Sequence, residues 1–291
     1  MYYIHGLQFP FTNTVLNFKE LNCYQSYSII KINNSIPPNS ENRLDYHLLL
    51  LEILNDTVKE KDKLLNLNLI EFLMFCIRLR TLSISSFVEL SVEDENEKNK
   101  KITINFYDLM KNIYDYGKII EKYKDINNGD VTVSLCWPSL KAEEFFLSNI
   151  DKDYFIKFVN SLPLFVETIK IKDDVFNFNS YDIEQKMLLM ESLPVSIKNI
   201  IQTNVLSLIQ ETSTISLFNI STFDDYKLEF FNGSIQDIIR FLFAGTDESQ
   251  MMEIVFLKRA GFLVEEIYKM TPLEKNNYIS YIHSQNEASN T

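Results

Sequence analysis

Residue types able to ligate a metal, attack a carbonyl or move a proton form no local catalytic signature in this sequence. Cys23, Cys76 and Cys136 are odd in number and widely spaced, matching neither a secreted disulfide framework nor a paired zinc motif. They read as reduced, intracellular thiols. His5, His47 and His283 have no ligand partner three or four residues away, and His47 sits in the apolar run at 44–54, so packing or exposure is the simpler reading. Adjacent carboxylates occur at Glu143 and Glu144, Asp173 and Asp174, Asp224 and Asp225, and Glu265 and Glu266. Each pair falls in a turn or on a helix surface, where acidic pairs are ordinarily solvated rather than poised for proton transfer. The sequence contains no glycine-rich phosphate loop, G-x-S-x-G elbow, H-E-x-x-H helix or D-x-D-x-D-G loop. With six glycines in 291 residues, a backbone cradle for phosphates is hard to build. The chain is therefore expected to be no enzyme and to carry no catalytic residue, metal or cofactor.

Aromatic residues offer the other candidate chemistry, as anchors for a partner protein. Most follow core periodicity. The exceptions are Tyr2, Tyr3, Phe9 and Phe11, in an extended N-terminal segment that either adds to a neighbour's sheet edge or packs on the chain's own core. Trp137, the only Trp, stands at a strand end as a core or lid residue, or as an interface anchor. These five are the candidate partner contacts.

Charge narrows the partners. A formal charge of −12 repels nucleic-acid phosphates, whose binding needs clustered Lys and Arg. The densest basic stretch, at 98–101, lies beside Glu93, Asp94, Glu95 and Glu97 and reads as a solvated hairpin loop. The N-terminus lacks a basic region followed by an apolar one, so no secretory signal is expected. The longest apolar stretch, at 64–84, is interrupted by Asn66, Asn68, Glu71, Arg78 and Arg80. It suits a buried core helix rather than a membrane span.

The elements that would position these residues follow from period and punctuation. An amphipathic helix is predicted over 18–31, ended by the Pro37, Pro38 and Asn39 cluster. A second is capped by Ser40 and buries Leu44, Leu48, Leu51, Leu54 and Val58. A third is capped by Asn68 and is apolar nearly all round, with Arg78 and Arg80 placed against its dipole. Alternation at 87–92 and 101–105 predicts a hairpin, and Asn105 with Asp108 starts a helix carrying Leu109, Ile113, Tyr116 and Ile120. A strand at 131–135 follows. A second hairpin-and-helix unit is read at 168–193, then a helix from Pro194, a linker at 211–225 and a strand-like echo at 227–231. Beyond these lie helices begun by Ser234, by Glu248 and by the Thr271, Pro272 and Glu274 start signal, the last ending near His283. The fold class is α+β, predominantly helical, with small antiparallel hairpins and a helical C-terminal module. Three divisions are expected, at 1–165, 166–220 and 221–291.

Residues 67–86, LNLIEFLMFCIRLRTLSISS, resemble the most recognisable segment of the baseplate hub proteins of T-even-like, contractile-tailed bacteriophages. There an apolar helix runs into an Arg-containing end and then a strand. The flanking ILNDTVKEKDKLLNLNLIE and FVELSVEDENEKNKKITINF fit the same scheme, and the likeness is best over 10–195. The C-terminal stretch from IIRFLFAGTDESQMMEIVFLKRAGF through its "MTP" helix start is similar to helical ends of tail assembly proteins. The resemblance implies a structural hub component of the virion tail, or a transient assembly chaperone that acts in the host cytoplasm and is absent from the virion. Its partners would be other baseplate or tail proteins, with self-association beside them. It supplies no catalytic residues.

Overall fold

A computed structural model describes residues 5–37, 42–93, 99–148, 154–213 and 235–289. Helix far exceeds strand, and the strands form small antiparallel sheets, so the fold is α+β and mostly helical. From His5 onward the chain folds back on itself: β1 (His5–Gln8) pairs antiparallel with β2 (Val15–Phe18), His5 opposite Phe18 and Gln8 opposite Val15. This corrects the helix predicted over 18–31, which begins only at α1 (Cys23–Ser35). Two local causes set that start. Leu16 and Phe18 alternate inward from β2, and the Asn22 side chain accepts from Gln25 N while the Gln25 side chain accepts from Asn22 N, a complete capping box.

Next come α2 (Arg43–Asn55), α3 (Lys61–Asn66) and α4 (Leu69–Ser83). Ser40, the predicted cap of α2, lies outside the described residues, and Asn42 takes the position without a side-chain capping bond. The buried face of α2 is Tyr46, His47, Leu50, Leu51 and Leu54, whereas Leu48, predicted inside, is 42% exposed. A helix with four consecutive leucines has no single apolar stripe, so its neighbours select the face. Helix α4 is the central element, with buried residues on nearly every side. Asn68 Oδ1 accepts from Glu71 N at 2.9 Å, the predicted cap. Phe72, Leu73, Phe75, Cys76 and Leu79 are all at most 1% exposed, and each such apolar side chain contributes roughly 1.5–3 kcal/mol by leaving water. At its far end Arg80 Nη1 donates to Ser85 O at 3.1 Å while its guanidinium lies 4.8 Å from the centre of the Phe106 ring. It closes the helix from within the core.

The hairpin of β3 (Phe87–Glu93) and β4 (Asn99–Asn105) is longer than its alternation suggests, taking Glu93 and Asn99 into the ladder. Helix α5 (Phe106–Gly117) follows, with the Asn105 side chain accepting from Tyr107 N and with Leu109, Ile113 and Tyr116 buried. A four-stranded antiparallel meander is built from β5 (Ile126–Asn128), β6 (Val131–Leu135), β7 (Val166–Ile171) and β8 (Asp174–Asn177), in that order. Between β6 and β7 the chain passes through α6 (Leu140–Ser148) and α7 (Tyr154–Ser161). The boundary expected at 165/166 thus separates two strands that pair directly.

Helices α8 (Ile183–Ser192) and α9 (Val195–Ser213) complete the main body, with Ile197, Ile201, Val205 and Leu208 of α9 turned inward. Of the predicted linker at 211–225, residues 211–213 finish α9. The remainder, the strand-like echo at 227–231, Ser234 and the boundary at 220/221 lie outside the described residues. Helix α10 (Ile235–Leu242) enters the main core through Ile239 and Leu242. Arg240 fixes it there: its guanidinium lies 4.0 Å from the Tyr46 ring centre and its Nη1 donates to Asn33 O at 2.7 Å.

The last three helices, α11 (Asp247–Arg259), α12 (Val264–Lys269) and α13 (Pro272–Ser289), build a smaller cluster on Ile254, Leu257 and Ile267. The start signal of α13 is realised as Glu274 N donating to Thr271 Oγ1 and Thr271 N donating to Glu274 Oε2. The helix runs to Ser289, beyond the end predicted near His283. This cluster is tied to α1, where Cys23 N donates to Met270 O at 2.7 Å and Tyr24 meets Tyr268 edge-on.

Candidate functional site

Of the five aromatic candidates, Tyr2 and Tyr3 lie outside the described residues, and the other three belong to the chain's own packing. Phe9 is 0% exposed and so offers no surface to a partner in this fold. Its place in the core follows from the hairpin, because Phe9 N donates to Thr14 O across the β1–β2 turn and turns the side chain inward. Phe11 and Trp137 are half-buried and meet the same short segment, the end of α5. The Phe11 ring covers Gly117 and stacks on Tyr114, with centroids 5.8 Å apart. Trp137 stacks on Tyr116 at 5.5 Å and donates from Nε1 to Gly117 O at 3.0 Å. A buried indole needs such an acceptor, and the last carbonyls of a helix are free to provide one.

Glu71 explains why the N-terminal turn sits at this corner. Although 0% exposed, it accepts at one oxygen, Oε1, from the backbone N–H groups of Phe11 and Thr12, both at 2.8 Å. Burial pushes its carboxyl up from the ordinary range, opposed by those bonds from Thr12 and Phe11 and by one from Asn68. A buried carboxylate is tolerated when hydrogen-bonded, and here it clamps the β1–β2 turn onto α4. In sequence Glu71 is only an interruption of an apolar run. The signal that marks it is a lone acid in a helix buried on all sides, which demands a partner from elsewhere.

Other ionisable side chains are held in the same structural way. Lys275, 2% exposed, donates to Gln250 Oε1 at 3.0 Å and pairs with Glu253, joining α13 to α11. Burial raises the Cys23 and Cys136 thiols to about 11 and pushes Cys76 higher still. They are protonated at neutral pH and poor nucleophiles. His47 is lowered to about 4 by burial. Among the described residues no three His, Cys, Asp or Glu side chains are grouped to hold a metal ion, and no helix is long and apolar enough to cross a membrane.

The surface carries what the sequence did not single out. Met251, Met252 and Val255 of α11 are 49%, 64% and 43% exposed. With Glu248, Phe256 and Arg259 they line an open groove of about 460 Å³. Their three- and four-residue spacing was available in sequence, but so was that of Ile254 and Leu257, which are buried. Only the packing of α12 and α13 decides which set faces out.

No curated protein and no solved structure matches the chain. Residues 3–253 match the family described as T4 bacteriophage base plate protein, and over that span, most of its length, this chain belongs to the phage baseplate family.

Proposed function

We propose that this protein is a structural or assembly component of the baseplate hub of a contractile phage tail, acting through protein–protein contacts and not through catalysis. The family match over residues 3–253 carries the reading. It is supported by the segment whose likeness to hub proteins is most specific, residues 67–86, which forms α4 and leads into β3 at the centre of the fold. The buried ionisable groups Glu71 and Lys275 join parts of the fold, and on this reading helix faces meet the partners. Those partners are other baseplate or tail proteins, and the place of action is the virion tail.

The test is a tagged pull-down from infected host cells, paired with mass spectrometry of purified virions. Hub proteins in the pull-down together with this chain in virions is the expected result. Capture of hub proteins by a chain missing from virions would identify an assembly chaperone released before the particle matures. Absence of tail proteins from the pull-down, and of the chain from virions, would overturn the hub assignment.

A further inference from the structure

Helix α11 is packed on one side only. Ile254 and Leu257 point into the small C-terminal core with Ile267. At 100° per residue, Glu248, Met252, Val255 and Arg259 fall on the far side, flanked by Met251 and Phe256. That side of a surface helix is normally polar. Here it presents two exposed methionines and a valine in a groove with a charged residue at each end. Contiguous exposed apolar side chains mark an interaction site, and methionine is well suited to one because its flexible thioether adapts to a facing surface. One wall is set, since the Phe256 ring stacks on His283 at 4.7 Å.

The order of residues along this face identifies the occupant. Read from either end it is an end charge, then apolar side chains three and four positions on: Glu248, Met251, Met252, then Val255, Phe256, Arg259. On this outward side the chemical classes mirror one another about the point between Glu253 and Ile254, apolar against apolar and Glu248 against the opposite charge of Arg259. We infer that α11 is a self-association face, on which a second copy of this chain packs its own α11 antiparallel about a twofold axis. That operation sets Met252 beside Val255 and Glu248 beside Arg259, each twice, with Met251 and Phe256 on opposite flanks of the seam. It is the isologous arrangement a twofold dimer requires. Glu248 and Arg259 are both exposed, and neither makes an ion pair or side-chain hydrogen bond among the described residues, so both are available. The helix dipoles also oppose, bringing the acidic first turn of one copy, Asp247 and Glu248, beside the basic last turn of the other, Lys258 and Arg259.

The face spans about 16 Å of helix, and one such contact buries well under the about 1,200–2,000 Å² of a standard interface. The dimer is therefore weak, dissociating in the micromolar range or above. Sedimentation of the full chain between about 1 and about 500 μM samples that range. The wild-type chain is expected to pass from monomer to dimer. Glu248→Arg and Arg259→Glu should each weaken association about tenfold or more, because each sets two like-charge pairs face to face. The double exchange should return it to within about threefold of wild type. Both single changes oppose the helix dipole and the double variant carries both faults, so recovery cannot come from better folding of α11, which circular dichroism follows in parallel. Met252→Lys, on an exposed position, should hold the chain monomeric without unfolding it. A wild-type monomer at every concentration overturns the inference, even if it binds another tail protein through this face. So does a dimer indifferent to Met252→Lys, or a double exchange no better than either single one.

Discussion

Replacing Glu71 with alanine leaves the backbone N–H groups of Phe11 and Thr12 without the oxygen that both now reach at 2.8 Å. Hydrogen bonds to an ionised group contribute roughly 1.5–3 kcal/mol each. Thr12 is exposed and its N–H can return to water, which discounts the pair to about 2–4 kcal/mol in all. Glutamine in place of Glu71 keeps a carbonyl oxygen able to accept both bonds and removes a buried charge, so Glu71→Gln should cost about 1 kcal/mol or less. The pH dependence has a definite sign. Burial holds the folded-state carboxyl above its ordinary value, so the native state binds this proton more tightly than the unfolded chain. That stabilisation is complete below the ordinary carboxylate range and is lost as pH rises through the raised folded value. Glutamine has no such dependence, so Glu71→Gln should gain on wild type as pH climbs out of the carboxylate range. Urea unfolding followed by the emission of Trp137 suits the measurement, because this only Trp donates to Gly117 O, beside Phe11. An alanine variant within about 0.5 kcal/mol of wild type, or a glutamine variant as damaged as alanine, would refute the clamp.

Three further substitutions probe the rest of the core. His47 is 3% exposed and its folded value falls from 6.5 to about 4. The unfolded chain therefore binds a proton first as pH drops, and wild type should lose about 2 kcal/mol more than His47→Leu between about pH 7 and about pH 5 in parallel urea titrations. Equal losses would show that the ring is not kept neutral by burial. A Cβ at Gly117 would collide with the Phe11 ring and crowd Ile70. Gly117→Ala should cost about 1–3 kcal/mol despite alanine's better helix propensity. The cost should shrink in a Phe11→Ala background, and additive costs would place the strain elsewhere. Lys275→Met keeps the volume of a nearly buried side chain and leaves its partner Glu253, whose side chain is 34% exposed, free to hydrate. Thermal unfolding should find it within about 1 kcal/mol of wild type and Lys275→Ala about 2 kcal/mol or more below it. The reverse order would mean that the ion pair, not the filled space, holds α13 on α11.

What could be read in advance was whatever is decided within one turn of helix or one hairpin. Asn68 capping α4, Asn105 capping α5 and the Thr271 and Glu274 start of α13 all involve partners two or three residues apart, and each was legible. The start of α1 was misread because Val15–Phe18 becomes a strand only through pairing with His5–Gln8. Phe9 and Phe11 were legible as unusual, but the choice between a neighbour's sheet edge and the chain's own core was not. What turns Phe11 toward the core is a carboxylate 60 residues away. Likewise α10 is seated by Arg240 on Asn33 across 207 residues, a contact that no local window contains.

The same separation of scales explains why function is harder to read here than fold. A catalytic site would be betrayed by residue types, since a nucleophile and its base must be particular groups. A baseplate protein is expected to act through faces, and a face consists of the side chains left over once the core has taken its share. On α11 the buried pair Ile254 and Leu257 and the exposed set Met251, Met252 and Val255 are equally apolar and equally periodic in sequence. The position of Ile267 separates them in space. Once that choice is made, the end charges acquire meaning. Glu248 and Arg259 suit the helix dipole in an isolated chain, and an antiparallel second copy, as proposed, would also give each of them an opposite charge while covering the methionines between them. Capping explains the charges and core packing explains the buried pair, but neither explains why the exposed residues between the charges are apolar. The proposed second copy of the helix would account for all three.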